Sequence, residues 1–167
     1  MRLTLVCVGK GNKTPEQELC DAYLTRARAF APKLGFSKLD LVLIDVWRAA
    51  SLGARMSEEA KRIAAKLPAG ARIAALDEGG VAQSSENFAK YLARLRDSGV
   101  RDLALAIGGP DGLAPSFRDS AQDRLAFGPQ TWPHLLVRAM LAEQIYRAFS
   151  ILAGHPYHRG IAPQQKR

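Results

Sequence analysis

Leu103-Ala-Leu-Ala-Ile107 runs directly into Gly108-Gly109-Pro110-Asp111-Gly112. Five apolar residues cut off by glycine and proline read as a buried strand that ends in a tight turn. The same grammar repeats on both sides. Upstream, Leu3–Val8 is an apolar run closed by Gly9, Leu39–Val46 is a second strand, and Ala71–Leu76 is a third. Downstream, Arg124–Phe127 is a last short strand. Helical periodicity fills the gaps. Pro15 opens a helix with Glu16 and Glu18 at its positive end, Leu19, Tyr23, Ala27 and Phe30 share one face, and Pro32 stops it. Ser57 is read as the cap of a helix with Ala60, Ile63, Ala64 and Leu67 on its apolar face. Ser84 or Ser85 caps a third, whose face is Phe88, Leu92 and Leu95 and whose stop is Gly99. Pro133 opens the last helix and Gly154 closes it. Strands alternating with helices predict an α/β fold with a largely parallel sheet and helices on both faces.

At 167 residues, with 47% apolar and 24% charged side chains, the chain is long enough for one domain with a real core. The balance of charge is basic, 24 Lys and Arg against 16 Asp and Glu, for a net +8. Residues 1–66 hold 12 basic and 7 acidic side chains, residues 67–133 hold 7 and 8, and residues 134–167 hold 5 and 1. Two basic ends around a neutral middle point to a polyanion met by the ends, nucleic acid first, and a small ligand held by the middle. A solvated basic face is the plainer explanation of the same count. Cys7 and Cys20 make no disulfide framework and read as core residues. No signal peptide or membrane-spanning run is apparent, so the expectation is a cytoplasmic protein with no membrane partner. The Arg48–Arg55 stretch is basic and weakly patterned, and is expected to be a mobile loop.

In a parallel α/β sheet, ligands bind outside the carboxyl ends of the strands. That selects the loops after Leu76 (Asp77-Glu78-Gly79-Gly80), after Ile107 (Gly-Gly-Pro-Asp-Gly) and after Phe127 (Gly128-Pro129-Gln130-Thr131-Trp132-Pro133). Glycine and proline are ordinary turn formers; three such loops at one sheet edge point to a pocket. It is neither a dinucleotide fingerprint, since Gly9-x-Gly11-x-x-Thr14 lacks the third glycine, nor a Walker-type phosphate loop. His155-x-x-His158 has no third ligand nearby, so no metal is expected. The last helix is apolar around nearly its whole circumference, which a partner subunit explains as well as core burial does. On it, Glu143 and Arg147 are spaced to pair, and Arg138 needs a carboxylate or an anionic substrate. His155-Pro156-Tyr157-His158-Arg159 then gathers two imidazoles, a phenol and a guanidinium, groups able to move a proton, stack on a base and grip phosphate. Composition alone also allows a frayed polar terminus.

Gly-Gly-Pro-Asp-Gly-Leu, Thr-Trp-Pro-His-Leu-Leu-Val-Arg, Glu-Gln-Ile-Tyr-Arg-Ala-Phe-Ser-Ile and His-Pro-Tyr-His-Arg follow one another in order. This set closely resembles the RlmH family of SPOUT-class methyltransferases, and the likeness spans residues 1–159. The resemblance implies a SPOUT-type α/β knot, in which the C-terminal segment threads a deep trefoil. Pattern reading alone argues against any knot. It implies a homodimer that uses S-adenosylmethionine to methylate N3 of a pseudouridine in a stem-loop of 23S rRNA in the assembled ribosome. Carried over by motif, the cofactor residues are Leu76, Gly108, Gly109, Phe127, Gly128, Pro129, Gln130, Thr131 and Trp132. Tyr157, His158 and Arg159 become catalytic, and Arg138, Arg147 and His155 meet the substrate. Residues 160–167 continue past the family's usual end and read as a flexible basic extension that adds phosphate contacts. Two rival readings stay open from the residues themselves: a nucleotide-binding α/β enzyme acting on a small molecule, and a non-catalytic ribosome-binding or assembly factor.

Overall fold

The computed structural model describes residues 1–10 and 13–158. Arg159 and the extension at 160–167 lie outside the described residues. In chain order the elements are β1 (Arg2–Val8), α1 (Pro15–Phe30), a 3-10 turn at Pro32–Leu34, β2 (Lys38–Ile44), α2 (Leu52–Lys66), β3 (Arg72–Ala82), α3 (Ser85–Asp97), β4 (Asp102–Ile107), α4 (Pro115–Ser120), β5 (Asp123–Ala126) and α5 (His134–Leu152). The five strands form one sheet in the order β2-β1-β4-β3-β5, with every pairing parallel.

Strand alternation divides the core in two. Leu3, Leu5 and Cys7 of β1, with Leu103, Leu105 and Ile107 of β4, face Cys20, Leu24 and Ala27 of α1, Phe88 and Leu92 of α3, and Leu141, Ile145 and Phe149 of α5. Val6, Val8 and Ala106 face the other way, onto Ile63 of α2 and Phe117 of α4. Helices therefore cover both faces, as expected. Among the described residues no helix is long and apolar enough to cross a membrane.

The starts of the helices follow side-chain chemistry. Thr14 Oγ1 accepts from the Gln17 N–H, Ser51 Oγ from the Ala54 N–H and Ser84 Oγ from the Asn87 N–H. The second of these corrects the sequence reading. α2 begins at Leu52 rather than at Ser57, because Ser51 is a capping side chain in extended backbone and the helix runs through Gly53. The irregular loop is thus 45–51. A larger correction concerns Asp77-Glu78-Gly79-Gly80, which composition assigns to a loop and the structure places inside β3. There β5 supplies the partner: Leu125 pairs with both Leu76 and Val81 across a bulge. A Cβ on Gly80 would stand 2.6 Å from the Leu125 carbonyl carbon, so only glycine lets the strands close. α4 has no apolar period long enough to read and was missed.

Candidate active site

The loops after β4 and β5 and the bulged end of β3 meet in one cleft of about 780 Å³. Its floor is Leu76, Ile107 and Leu125, with Met56 reaching in from α2. One wall is Gly108–Leu113; the other runs from Phe127 and Gly128 through Gln130, Thr131, Trp132 and Pro133 to His134 and Val137. This volume is in the range of small-ligand sites.

The first wall is a tight turn. The Gly112 N–H donates to the Gly109 carbonyl at 3.0 Å, with Gly112 at φ +82°. A Cβ on Gly108 would press on the Gly112 carbonyl group and stand 2.6 Å from the Leu113 nitrogen. Glycine at 108 is thus a packing requirement. Arg55 of α2 ties Asp111 down at 2.8 Å. The second wall is latched to β3 by Thr131 Oγ1, which donates to Glu78 Oε2 at 2.8 Å. Asp77, also on the rim, lies 3.8 Å from Arg118.

Of the residues singled out as cofactor-binding, Leu76, Gly108, Gly109, Phe127, Gly128, Gln130, Thr131 and Trp132 all line this cleft; Pro129 does not. Sequence reasoning missed Met56 and Arg118 as cleft residues, and also His134. His134 opens α5 with its ring against Gly9, where a Cβ would stand 2.6 Å from Nε2. Burial, and then the charge of Arg138, push its pKa below the usual imidazole value, which keeps the ring neutral. Its place beside proline at a helix start, inside a motif already quoted, was the available signal.

Arg138 is 1% exposed. Its Nη1 donates to Gln17 Oε1 of α1 at 2.9 Å, and it takes part in no ion pair among the described residues. A buried guanidinium held by a neutral amide is an unusual expense. Its charge opposes protonation of His134, and acts to lower the Cys7 and Cys20 thiols. Burial outweighs that for both thiols, raising Cys7 to about 12 and Cys20 to about 11.

The C-terminal residues form a second constellation, away from the cleft of their own chain. Tyr157 packs on Tyr146 with ring centroids 4.5 Å apart, and its hydroxyl donates to Glu143 Oε1 at 3.0 Å. Arg147 pairs with the same oxygen through Nε at 2.9 Å, its guanidinium 4.8 Å from the Tyr157 ring centre. Burial first, then hydrogen bonding to Tyr23 and Glu143, pushes the Tyr157 phenol upward. His158 Nε2 lies 2.7 Å from Glu86 at the start of α3, and His155 sets its ring edgewise on Phe30. Tyr157, His158, Arg147 and His155 are together on the α1, α3 and α5 face, and none lines the cleft. Among the described residues no group of three or more His, Cys, Asp or Glu could hold a metal ion.

A parallel sheet with a glycine-walled cleft at its carboxyl edge, closed by a long C-terminal helix, is the architecture of an α/β ligand-binding protein. A family model described as "Predicted SPOUT methyltransferase" matches residues 1–158. Proteins named "Ribosomal RNA large subunit methyltransferase H" from Methylocella silvestris and Hyphomonas neptunium are 49% and 50% identical over 159 residues, each match covering 95% of this chain and 99% of that protein. A solved structure described as a probable methyltransferase from Bordetella pertussis Tohama I is a looser likeness, with a TM-score of 0.45 at 16% identity over 88% of this chain and 95% of that one. The chain belongs to the SPOUT methyltransferases, in the group of the ribosomal RNA large subunit methyltransferase H proteins. It is a methyltransferase, and its class uses S-adenosylmethionine as donor. The cleft fits such a molecule: Leu76, Ile107, Leu125 and Phe127 offer an apolar bed for a purine. Asp77 and Glu78 offer carboxylates for hydroxyl and cationic groups, and the Gly108–Leu113 turn forms the facing wall.

Proposed function

We propose that the protein methylates N3 of a pseudouridine in a stem-loop of 23S rRNA, in the assembled ribosome and in the cytoplasm, acting as a homodimer. The observation that carries this reading is one cleft built from three separated glycine-rich segments, in a chain about half identical to rRNA methyltransferases along nearly its whole length. Residues 1–159 act as one catalytic domain, and 160–167 as a basic arm. The C-terminal trefoil knot belongs to the same reading: α5 leaves the sheet edge at β5 and returns to pack on α1, which is compatible with threading.

S-adenosylmethionine, when bound, supplies an electrophilic methyl group on a sulfonium. Leu76, Gly108, Gly109 and the segment Phe127–Trp132 hold it. Arg138, Arg147 and His155 position the substrate, with Arg138 acting through its charge from beneath the site. Tyr157 and Arg159 orient the base, and His158 accepts the N3 proton as the nitrogen takes the methyl. Because Tyr157 and His158 stand outside their own chain's cleft, they serve the cleft of a partner copy. The 5 basic and 1 acidic side chains of residues 134–167 suit an anionic substrate at such a shared site.

Mass spectrometry of the rRNA nucleotide tests the reaction. The methyl group is expected to be missing in cells lacking the gene and restored when the gene is returned. Its persistence without the gene refutes the reading. Mixing Gly108→Ala protein with His158→Ala protein tests the shared site: activity above either alone is expected, and a mixture no better than its parts rules it out.

A further inference from the structure

The loop 45–51 has little pattern of its own, yet α2 holds it at several points. Glu59 of α2 is 3% exposed and takes part in no ion pair among the described residues. One of its oxygens accepts from the Trp47 N–H at 2.9 Å. One turn along the helix, the Arg62 guanidinium lies 3.9 Å from the centre of the Trp47 ring, and Arg62 is itself held by Glu58 at 3.1 Å. The indole is therefore fixed at backbone and ring by the same helix, and it still remains 37% exposed, between Val46 at 38% and Leu52 at 52%. Burying an unpaired carboxylate opposes folding. Here it holds an aromatic ring in a set orientation toward solvent.

The same helix face grips the cleft. The other Glu59 oxygen would stand 3.2 Å from a Cβ on Gly109, and Arg55 reaches Asp111 in the same turn. Lys10, in the loop after β1, bridges to Asp45 at 2.9 Å. Trp47 thus stands at the carboxyl edge of the sheet, on the β2 side of the cleft. Arg48 follows it in the chain and the Arg62 guanidinium lies on its ring, with Glu58 as the carboxylate that pairs with Arg62. An apolar protein segment gains little from such surroundings; an anionic strand with unpaired bases gains both charge pairing and stacking.

We propose that the Trp47 indole, braced by Arg62 and Glu59, is a stacking platform for an unpaired base of the RNA substrate. This rests on the RNA reading given above. Stacking on an aromatic face tolerates any base, so the platform contributes affinity and register and leaves the choice of the methylated nucleotide to the cleft.

Two measurements on the full-length protein test it. In methyl transfer to assembled ribosomes from cells lacking the gene, Trp47→Ala is expected to raise KM for ribosomes about tenfold. KM for S-adenosylmethionine and kcat should stay within about twofold, and Trp47→Phe should restore most of the loss. An unchanged KM for ribosomes, a matching rise in KM for S-adenosylmethionine, or equal impairment of the Phe variant overturns the proposal. Second, the two tryptophans, Trp47 and Trp132, are labelled with 5-fluorotryptophan, assigned with Trp47→Phe, and titrated with a single-stranded oligouridylate. The Trp47 fluorine signal is expected to shift, and the shift to weaken with salt. A Trp47 signal that stays still overturns the platform; if Trp47→Ala nevertheless impairs ribosome methylation, the ring meets a ribosomal protein instead. Ribosomes left unmethylated by the wild type, together with a shifted Trp47 signal, refute the reaction and leave the platform standing.

Discussion

Replacing Gly108 by alanine asks whether the turn after β4 is a rigid wall or a yielding one. The added methyl would press on the Gly112 carbonyl group and stand 2.6 Å from the Leu113 nitrogen, where ordinary contact begins near 3.4 Å. Both neighbours are backbone, so neither can swing aside. The turn must open by most of an ångström, against the Gly112-to-Gly109 hydrogen bond and the Arg55–Asp111 tether. Overpacking of this kind costs about 1–3 kcal/mol, and a lost turn hydrogen bond adds about 1 kcal/mol. Gly108→Ala is therefore expected to lower unfolding free energy by about 2–4 kcal/mol. Two neighbours serve as controls. Gly109→Ala meets only the side chains of Val8 and Glu59, at 3.1 and 3.2 Å, which can give way. Gly112→Ala has open space but sits at φ +82°, a cost of about 1–2 kcal/mol. Urea unfolding at fixed protein concentration measures stability, and titration calorimetry with S-adenosylmethionine measures the cleft, where Gly108→Ala should weaken binding at least tenfold. If Gly108→Ala unfolds at the wild-type midpoint, or binds the cofactor as the wild type does, the rigid-wall reasoning is wrong.

Arg138→Met replaces a buried cation by an apolar side chain of similar length; it should leave the unfolding midpoint unchanged or raise it while cutting methyl transfer at least tenfold, and a large loss of stability would mark Arg138 as structural. His134, held neutral by burial and Arg138, contributes stability that is complete above its ordinary value of 6.5 and is lost as pH falls through its lower folded value. Unfolding between about pH 5 and pH 7 should therefore show a fall on acidification that His134→Gln flattens. Glu143→Gln removes the charge that Arg147 and the Tyr157 hydroxyl share; a loss of about 1 kcal/mol and faster proteolytic clipping at 153–158 are expected, read by denaturation and by timed digestion.

Local patterns carried the alternation of strands and helices, since the period of apolar residues changes from two to 3.6 wherever the chain changes element. They located the turn at Gly108–Gly112 and the segment Phe127–Pro133, because glycine and proline restrict where a strand can end. They failed where a distant partner decides. Asp77–Gly80 looks like a loop until β5 lies alongside and Leu125 pairs across the bulge. Glu59 sits four residues before Ile63, on the apolar stripe of α2, a signal that was present and unread. Its burial depends on Trp47 offering an amide, which no local period encodes.

The sequence by itself determined an α/β chain, its basic ends, and three glycine-marked segments in the middle and at the end of that alternation. Only the tertiary structure decided that β3, β4 and β5 lie side by side in the order β2-β1-β4-β3-β5. That order gathers residues 76–78, 107–113 and 125–137 into one cleft, because hydrogen-bonded strands pair by register in space and not by distance along the chain. The tertiary structure likewise decided that Tyr157 and His158 do not line that cleft, since Glu143 of α5 and Glu86 of α3 are the carboxylates that receive them.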